Sequence, residues 1–90
     1  MHTPQRIDII VESERRFPAY HDELEYARRV GFIAGGLYLK DNPADSRTAQ
    51  AIASARYPEL PKDPRDLSIT LRRREGASQA VTWMREEMSH

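Results

Sequence analysis

The chain has 90 residues, 14 basic and 14 acidic side chains, and no cysteine. A chain of this length buries only about two-thirds of its unfolded surface, so residues 1–90 are predicted to form one small domain with flexible ends at 1–5 and 89–90. The missing cysteine excludes disulfide frameworks, thiolate zinc sites and iron–sulfur clusters, and a net charge of zero disfavours a polybasic nucleic-acid binder.

The N-terminal segment has no apolar run followed by a small-residue cleavage site, so we expect a cytoplasmic location. The first periodic pattern follows at residues 6–12. There Ile7, Ile9 and Val11 alternate with Asp8, Ile10 and Glu12 in the two-residue period of a half-buried strand. This segment is predicted to be the first β-strand.

Two helices are predicted in the middle of the chain. In the first, from Pro18 to about Leu39, small or apolar side chains recur every three or four residues. The second runs from Pro43 to about Arg56, with Asn42 as its cap and a proline in its first turn.

The last third of the chain begins with a predicted proline-rich loop at residues 57–66. Residues 67–72 alternate apolar and polar side chains and predict a second strand. Residues 77–88 have helical spacing, although a hairpin strand is the open alternative because Val, Thr and Trp favour β-structure.

These elements predict an α+β fold of order strand, helix, helix, strand, helix. The sheet has two strands, or three if the hairpin forms or a second copy adds one, and the helices cover one of its faces.

Small residues recur at four-residue intervals on the first predicted helix, at Ala27, Gly31 and Gly35. The surrounding apolar run is far shorter than the roughly 20 residues of a membrane span, so no membrane association is predicted. Two interpretations remain. The glycines admit close packing of the second predicted helix through Ala49 and Ala53, or they form a self-association surface.

Aromatic side chains on the same helix indicate a binding surface, because tyrosine joins a large apolar face to a polar tip. Tyr26 and Phe32 lie off the main apolar stripe, so the helix is apolar on more than one side. Either a partner covers the second side, or the C-terminal helix covers it through Val81, Trp83 and Met84. The predicted interaction surface comprises Tyr20, Tyr26, Gly31, Phe32, Gly35 and Tyr38.

Three consecutive arginines, Arg72, Arg73 and Arg74, form a second candidate site. On a strand, Arg72 and Arg74 would share a face and could bind phosphates, with Arg47 and Arg56 on the second helix as further contacts. The alternative is ordinary cross-strand pairing with acidic side chains of the first strand, Asp8 and Glu12.

Candidates for catalysis are few. His21 and Glu25 share a helix face but need a third metal ligand, and they also fit an acidic helix start beside a solvated histidine. His2 and His90 lie at the chain ends, where catalytic geometry is hard to maintain. We therefore predict no cofactor, no metal and no enzymatic activity.

The function that these observations favour is a non-enzymatic protein-interaction module. It would act as an adaptor, inhibitor or regulator with a protein partner or as a homodimer, in a bacterium or a mobile element. The alternative is a sequence-specific nucleic-acid-binding regulator that uses Arg72–Arg74. The sequence does not specify the partner, the biological process or the oligomeric state.

Overall fold

The computed structural model describes residues 2–89, and these form four helices and no strand. The helices are α1 (Arg6–Arg16), α2 (Glu23–Asp41), α3 (Ala49–Arg56) and α4 (Pro64–Met88). The predicted α+β fold is therefore wrong, because both predicted strands are helical.

The first predicted strand is part of α1. Ile9 and Ser13, four residues apart, are fully buried, whereas Ile7 is 65% exposed and Val11 is 56% exposed. At 100° per residue only one of three alternating residues faces the core, whereas a strand would bury all of them on one face. The helix starts with a capping box, in which the Asp8 carboxylate accepts the backbone N–H of Gln5 at 2.8 Å.

The second predicted strand is the beginning of α4. Asp63 caps this helix by accepting the backbone N–H groups of Arg65 (2.9 Å) and Asp66 (3.2 Å). Pro64 occupies the first helical turn, where its missing N–H costs nothing. The proline-rich connection therefore ends at residue 63 instead of 66, and residues 77–88 form a helix and not a hairpin.

The two central helices begin later than their prolines indicate. Asp22 caps α2 by accepting the N–H groups of Leu24 (3.0 Å) and Glu25 (3.1 Å), so α2 starts five residues after Pro18. Thr48 caps α3 through the N–H of Ala51 (3.1 Å). Residues 43–48 form an irregular connection before it.

The close contact that the glycines allow is between α2 and α4. A Cβ added at Gly31 would collide with the backbone carbonyl of Arg73, and one added at Gly76 would collide with the carbonyl of Arg28. A Cβ at Gly35 would lie 2.6 Å from the carbonyl oxygen of Ala77. The prediction that the stripe receives the second predicted helix is therefore wrong, because its partner is the C-terminal helix.

The other two helices pack against this central pair. α1 lies on α2, where the Ile9 side chain fills the space beside Gly36, and α3 lies mainly on α4. An aromatic cluster extends from the end of α1 to α4, with ring centroids 6.2 Å apart for Phe17 and Phe32 and 5.6 Å apart for Phe32 and Trp83. The buried core consists of Ile9, Phe17, Phe32, Leu39, Ile52, Ala80, Val81 and Met84.

The resulting molecule is flat, with Cα extents of 42 × 27 × 15 Å. A layer this thin cannot enclose a helix on all sides, so α2 keeps part of its surface open to solvent. Within residues 2–89, none of the helices has the length and apolar character needed to cross a membrane.

Candidate interaction surface

Three sides of α2 are apolar, and the chain covers two of them. α4 packs on the side of Gly31 and Gly35, and α1 packs on the side of Gly36. The third side is a row at helical spacing that stays partly open to solvent. We call this row the α2 stripe, and it consists of Tyr26, Val30, Ile33, Ala34 and Leu37.

The α2 stripe borders an open surface groove of about 560 Å³. Val30, Ile33, Ala34 and Leu37 form its apolar floor. Its polar rim lies at the C-terminal end of α2 and consists of Tyr38, Asp41, Asn42 and Arg56. Such a groove can bind apolar surface and orient it through the polar groups at one end.

A second exposed apolar row lies on α1, where Ile7 and Val11 are among the most exposed large apolar side chains of residues 2–89. Arg16, on another side of α1, contacts the core, with its guanidinium carbon 5.2 Å from the Phe32 ring centroid and Nη1 3.5 Å from Oε1 of Gln79 on α4. At helical spacing Ile7 and Val11 lie on the side of α1 opposite to Arg16. They also lie opposite Ile9, which packs on α2, so the apolar row of α1 is separate from the α2 stripe.

The six residues of the predicted interaction surface divide into two groups. Tyr20 is 69% exposed and Tyr26 is 49% exposed, whereas Gly31, Phe32 and Gly35 are buried within the chain's own core. Tyr38 is half-buried at the rim of the groove. Only Tyr26 of these six belongs to the α2 stripe.

The aliphatic residues of the α2 stripe and of α1 are not among the predicted site residues. For Val30, Ile33 and Leu37 the available signal is a second helical row, offset from the glycines by about one-third of a turn. For Ile7 and Val11 the strand prediction assigned the same side chains to the core.

A polar clamp fixes the connection that borders the groove. The Tyr38 hydroxyl donates to Oδ2 of Asp45 (2.5 Å), and Arg47 donates from Nη2 to the same oxygen (2.8 Å). The hydrogen bonds from Arg47 and Tyr38 hold the pKa of Asp45 well below its usual range. Arg85 of α4 donates to the backbone carbonyl of Asp45 (2.9 Å), and the guanidinium carbon of Arg56 lies 5.8 Å from the Tyr38 ring centroid.

The three consecutive arginines point in different directions, because successive helical residues are 100° apart. Nη1 of Arg72 donates to Glu75 (3.1 Å), whereas Arg74 donates to the backbone carbonyls of Tyr57 (2.9 Å) and Pro58 (3.3 Å). The backbone of Arg73 lies against Gly31. The row of guanidinium groups expected on a strand is therefore not formed.

The predicted pairing of these arginines with α1 is also wrong, because no sheet brings the two segments together. Glu12 instead pairs within α1, with Arg15 (2.5 Å) and Arg16 (2.7 Å). The hydrogen bond from Arg15, with a further one from Arg16, lowers the pKa of Glu12 to about 2. Asp8 is used at the start of α1. Nucleic-acid binding through Arg47, Arg56 and Arg72–Arg74 stays a prediction.

The candidate metal pair has other contacts. Oε2 of Glu25 accepts the backbone N–H of Ala19 (2.7 Å) and closes the turn before α2. His21 is exposed, and its ring packs edge-on against Tyr20 with centroids 5.7 Å apart. Across residues 2–89, no three His, Asp or Glu side chains are grouped so that they could hold a metal ion.

Comparisons with protein-family models, curated proteins and solved structures find no match for this chain. Its function must therefore be inferred from its own residues.

Proposed function

We propose that this chain is a non-enzymatic protein-interaction module, of the adaptor, inhibitor or regulator class, that binds a protein partner through the α2 stripe. The observation that carries the proposal is the third apolar side of α2, which the other helices of residues 2–89 leave partly open. The exposed side chains of α1, Ile7 and Val11, lie opposite Ile9 on that helix and form a separate apolar row outside this surface.

The composition of this surface supports binding. Its centre is aliphatic, and its rim carries Tyr38, Asp41 and Arg56, which is the usual arrangement of an apolar interface core with a polar edge. Fully burying one exposed aliphatic side chain contributes about 1.5–3 kcal/mol, so completing the burial of several half-covered ones adds a few kcal/mol.

The rigidity of α2 also supports binding. Its backbone touches that of α4 at Gly31 and Gly35, so the helix cannot shift without breaking the core. A partner therefore meets a preformed surface, and the ordering cost of association is reduced.

Site-specific photo-crosslinking tests the proposal. A benzoylphenylalanine in place of Ile33 is compared with one in place of Ser68, which is exposed on α4. Both proteins are illuminated in cells of the source organism. We expect a discrete protein adduct from position 33, none from position 68, and loss of the adduct when Val30→Asp and Leu37→Asp are added.

Circular dichroism of the double variant checks that the helices are retained. An adduct with any protein, including a second copy, supports the proposal when it depends on Val30 and Leu37. No adduct at position 33, or the same adducts from both positions, would contradict it.

A further inference from the structure

The α2 stripe is complementary to itself when one copy runs antiparallel to another. Consider two α2 helices related by a two-fold axis that passes between residues 33 and 34. A residue that precedes the axis by a given number of positions then faces the residue of the second copy that follows the axis by the same number. Ile33 then faces Ala34, Val30 faces Leu37, and Tyr26 faces Asp41 of the second copy.

Each of these pairings is chemically matched. The large Ile33 side chain lies over the small Ala34, Val30 and Leu37 form an aliphatic pair, and the Tyr26 hydroxyl can donate to the Asp41 carboxylate. Tyr26 and Asp41 are exposed, and within residues 2–89 neither side chain makes a hydrogen bond. A parallel pair would instead place Asp41 against Asp41 and Ile33 against Ile33.

The helix dipoles favour the same orientation, because antiparallel pairing places the positive end of each α2 beside the negative end of its neighbour. The carboxylates at the N-terminal end of α2 have partners within the chain and do not add to this effect. Asp22 caps the helix, Glu23 pairs with Arg65 (2.8 Å) and Glu25 accepts the N–H of Ala19 (2.7 Å).

We propose that the partner on the α2 stripe is a second copy of this chain, bound with the two α2 helices antiparallel about an axis between Ile33 and Ala34. This inference rests on the proposed function, because it names the partner at the same surface.

The area available sets the expected strength of this dimer. From Tyr26 to Asp41 the stripe is about 22 Å long and 10 Å wide at 1.5 Å per residue, or roughly 220 Å². Stable interfaces bury about 800 Å² per partner, so the stripe with its rim residues forms an interface at the small end of the range. We therefore expect a dissociation constant in the micromolar range.

Cysteine pairing tests the geometry, because the chain has no cysteine of its own. Under mild oxidation, Ala34→Cys is expected to form a disulfide dimer, since residue 34 lies next to the axis. Val30→Cys and Leu37→Cys are expected to form a disulfide dimer only when the two variants are mixed. In a dimer of one variant, the two copies of residue 30, or of residue 37, lie about 10 Å apart along the helix axis, which is beyond disulfide reach.

Ser68→Cys is the matched control and should remain monomeric. Ready dimerisation of Val30→Cys alone would overturn the antiparallel arrangement, as would failure of the Val30→Cys and Leu37→Cys mixture to react.

Sedimentation equilibrium measures the association itself. We expect a dimer at tens of micromolar protein, and at least a tenfold weaker dimer in Asp41→Arg and in Val30→Asp. Asp41 is exposed, so its replacement tests the interface without disturbing the core. A monomer at all concentrations, together with a Val30-dependent photo-adduct whose mass is not twice that of the chain, would overturn the inference and leave the proposed function intact.

Discussion

Gly31 of α2 lies directly against the backbone carbonyl of Arg73 on α4, with no room between them for even a methyl group. Two helices whose backbones touch in this way cannot absorb an added side-chain atom by rotating a neighbouring side chain. The glycine is therefore required by sterics alone.

The Gly31→Ala variant is expected to lose about 3 kcal/mol or more of its free energy of unfolding, because the added methyl group must separate α2 from α4. Gly36→Ala is the matched control. Its Cβ would lie 2.8 Å from the Cγ2 of the buried Ile9, so this variant is also expected to lose stability, but less, because a side chain and not a backbone carbonyl must shift and alanine favours the helix by about 1 kcal/mol. Urea unfolding followed by circular dichroism measures both. Equal stabilities of the two variants would contradict the backbone contact.

The ion pairs of Glu12 make stability depend on pH. The pKa of Glu12 is about 2 in the folded chain against an ordinary value of 4.5, so the stabilisation is present above pH 4.5 and is lost as the pH falls towards 2. We expect Glu12→Gln to lower the free energy of unfolding by about 0.5–1 kcal/mol at pH 7, since the pairs are at the surface. The difference from the wild type should disappear near pH 2. A difference that is constant from pH 2 to 7 would exclude the ion pairs as its cause.

Replacement of Asp45 by asparagine is expected to loosen the connection between α2 and α3. The variant keeps the size of the side chain but loses the charge that accepts from both Arg47 and Tyr38. Amide hydrogen exchange at residues 43–48 should accelerate, and the melting temperature should fall. Tyr38→Phe removes only one of the two partners and is expected to have the smaller effect. If Tyr38→Phe has the larger effect, the ion pair does not dominate the clamp.

Arg74 is expected to stabilise the proline-rich connection, because its guanidinium bridges two successive backbone carbonyls, those of Tyr57 and Pro58. Arg74→Gln should lower the free energy of unfolding by about 1.5–3 kcal/mol, which is typical for a hydrogen bond with a charged donor. Arg72→Gln, which loses only a partly exposed ion pair with Glu75, should cost less than 1 kcal/mol. Thermal unfolding of the two variants side by side distinguishes these roles.

The different expected stabilities of the Arg72 and Arg74 variants also matter for testing the alternative function, nucleic-acid binding. An Arg74 variant that binds DNA more weakly is informative only when it is shown to remain folded. A fair gel-shift series therefore relies on Arg72→Gln, for which little loss of stability is expected, and asks whether affinity falls steeply with salt.

Part of the fold could be predicted from the sequence. The helical period of α2 is sustained over five turns, and the C-terminal helix has a clear three- to four-residue spacing, so both could be recognised. The segment Ile7–Val11 could not, because so short a segment with four apolar residues fits both a strand and a helix until a partner selects one face. In the structure Gly36 makes that selection by admitting Ile9.

The candidate surface was predictable only in outline. Tyr26 lies on the open third side of α2, whereas Phe32, which gives the same signal in the sequence, is buried against Phe17 and Trp83. Which side of a helix is left uncovered depends on where the other helices pack. The packing of α4 on α2 requires Gly76, because a Cβ there would collide with the carbonyl of Arg28. Nothing in the residues around Gly76 indicates this contact in advance.

The backbone contact between α2 and α4 has a consequence for how such a chain can diversify. Because contacts between main-chain atoms fix the spacing of α2 and α4, that spacing does not depend on the side chains of the outward row. Descendants of this sequence could change the most exposed member, Tyr26, while keeping the same scaffold, whereas Leu37 is constrained by its packing against the core.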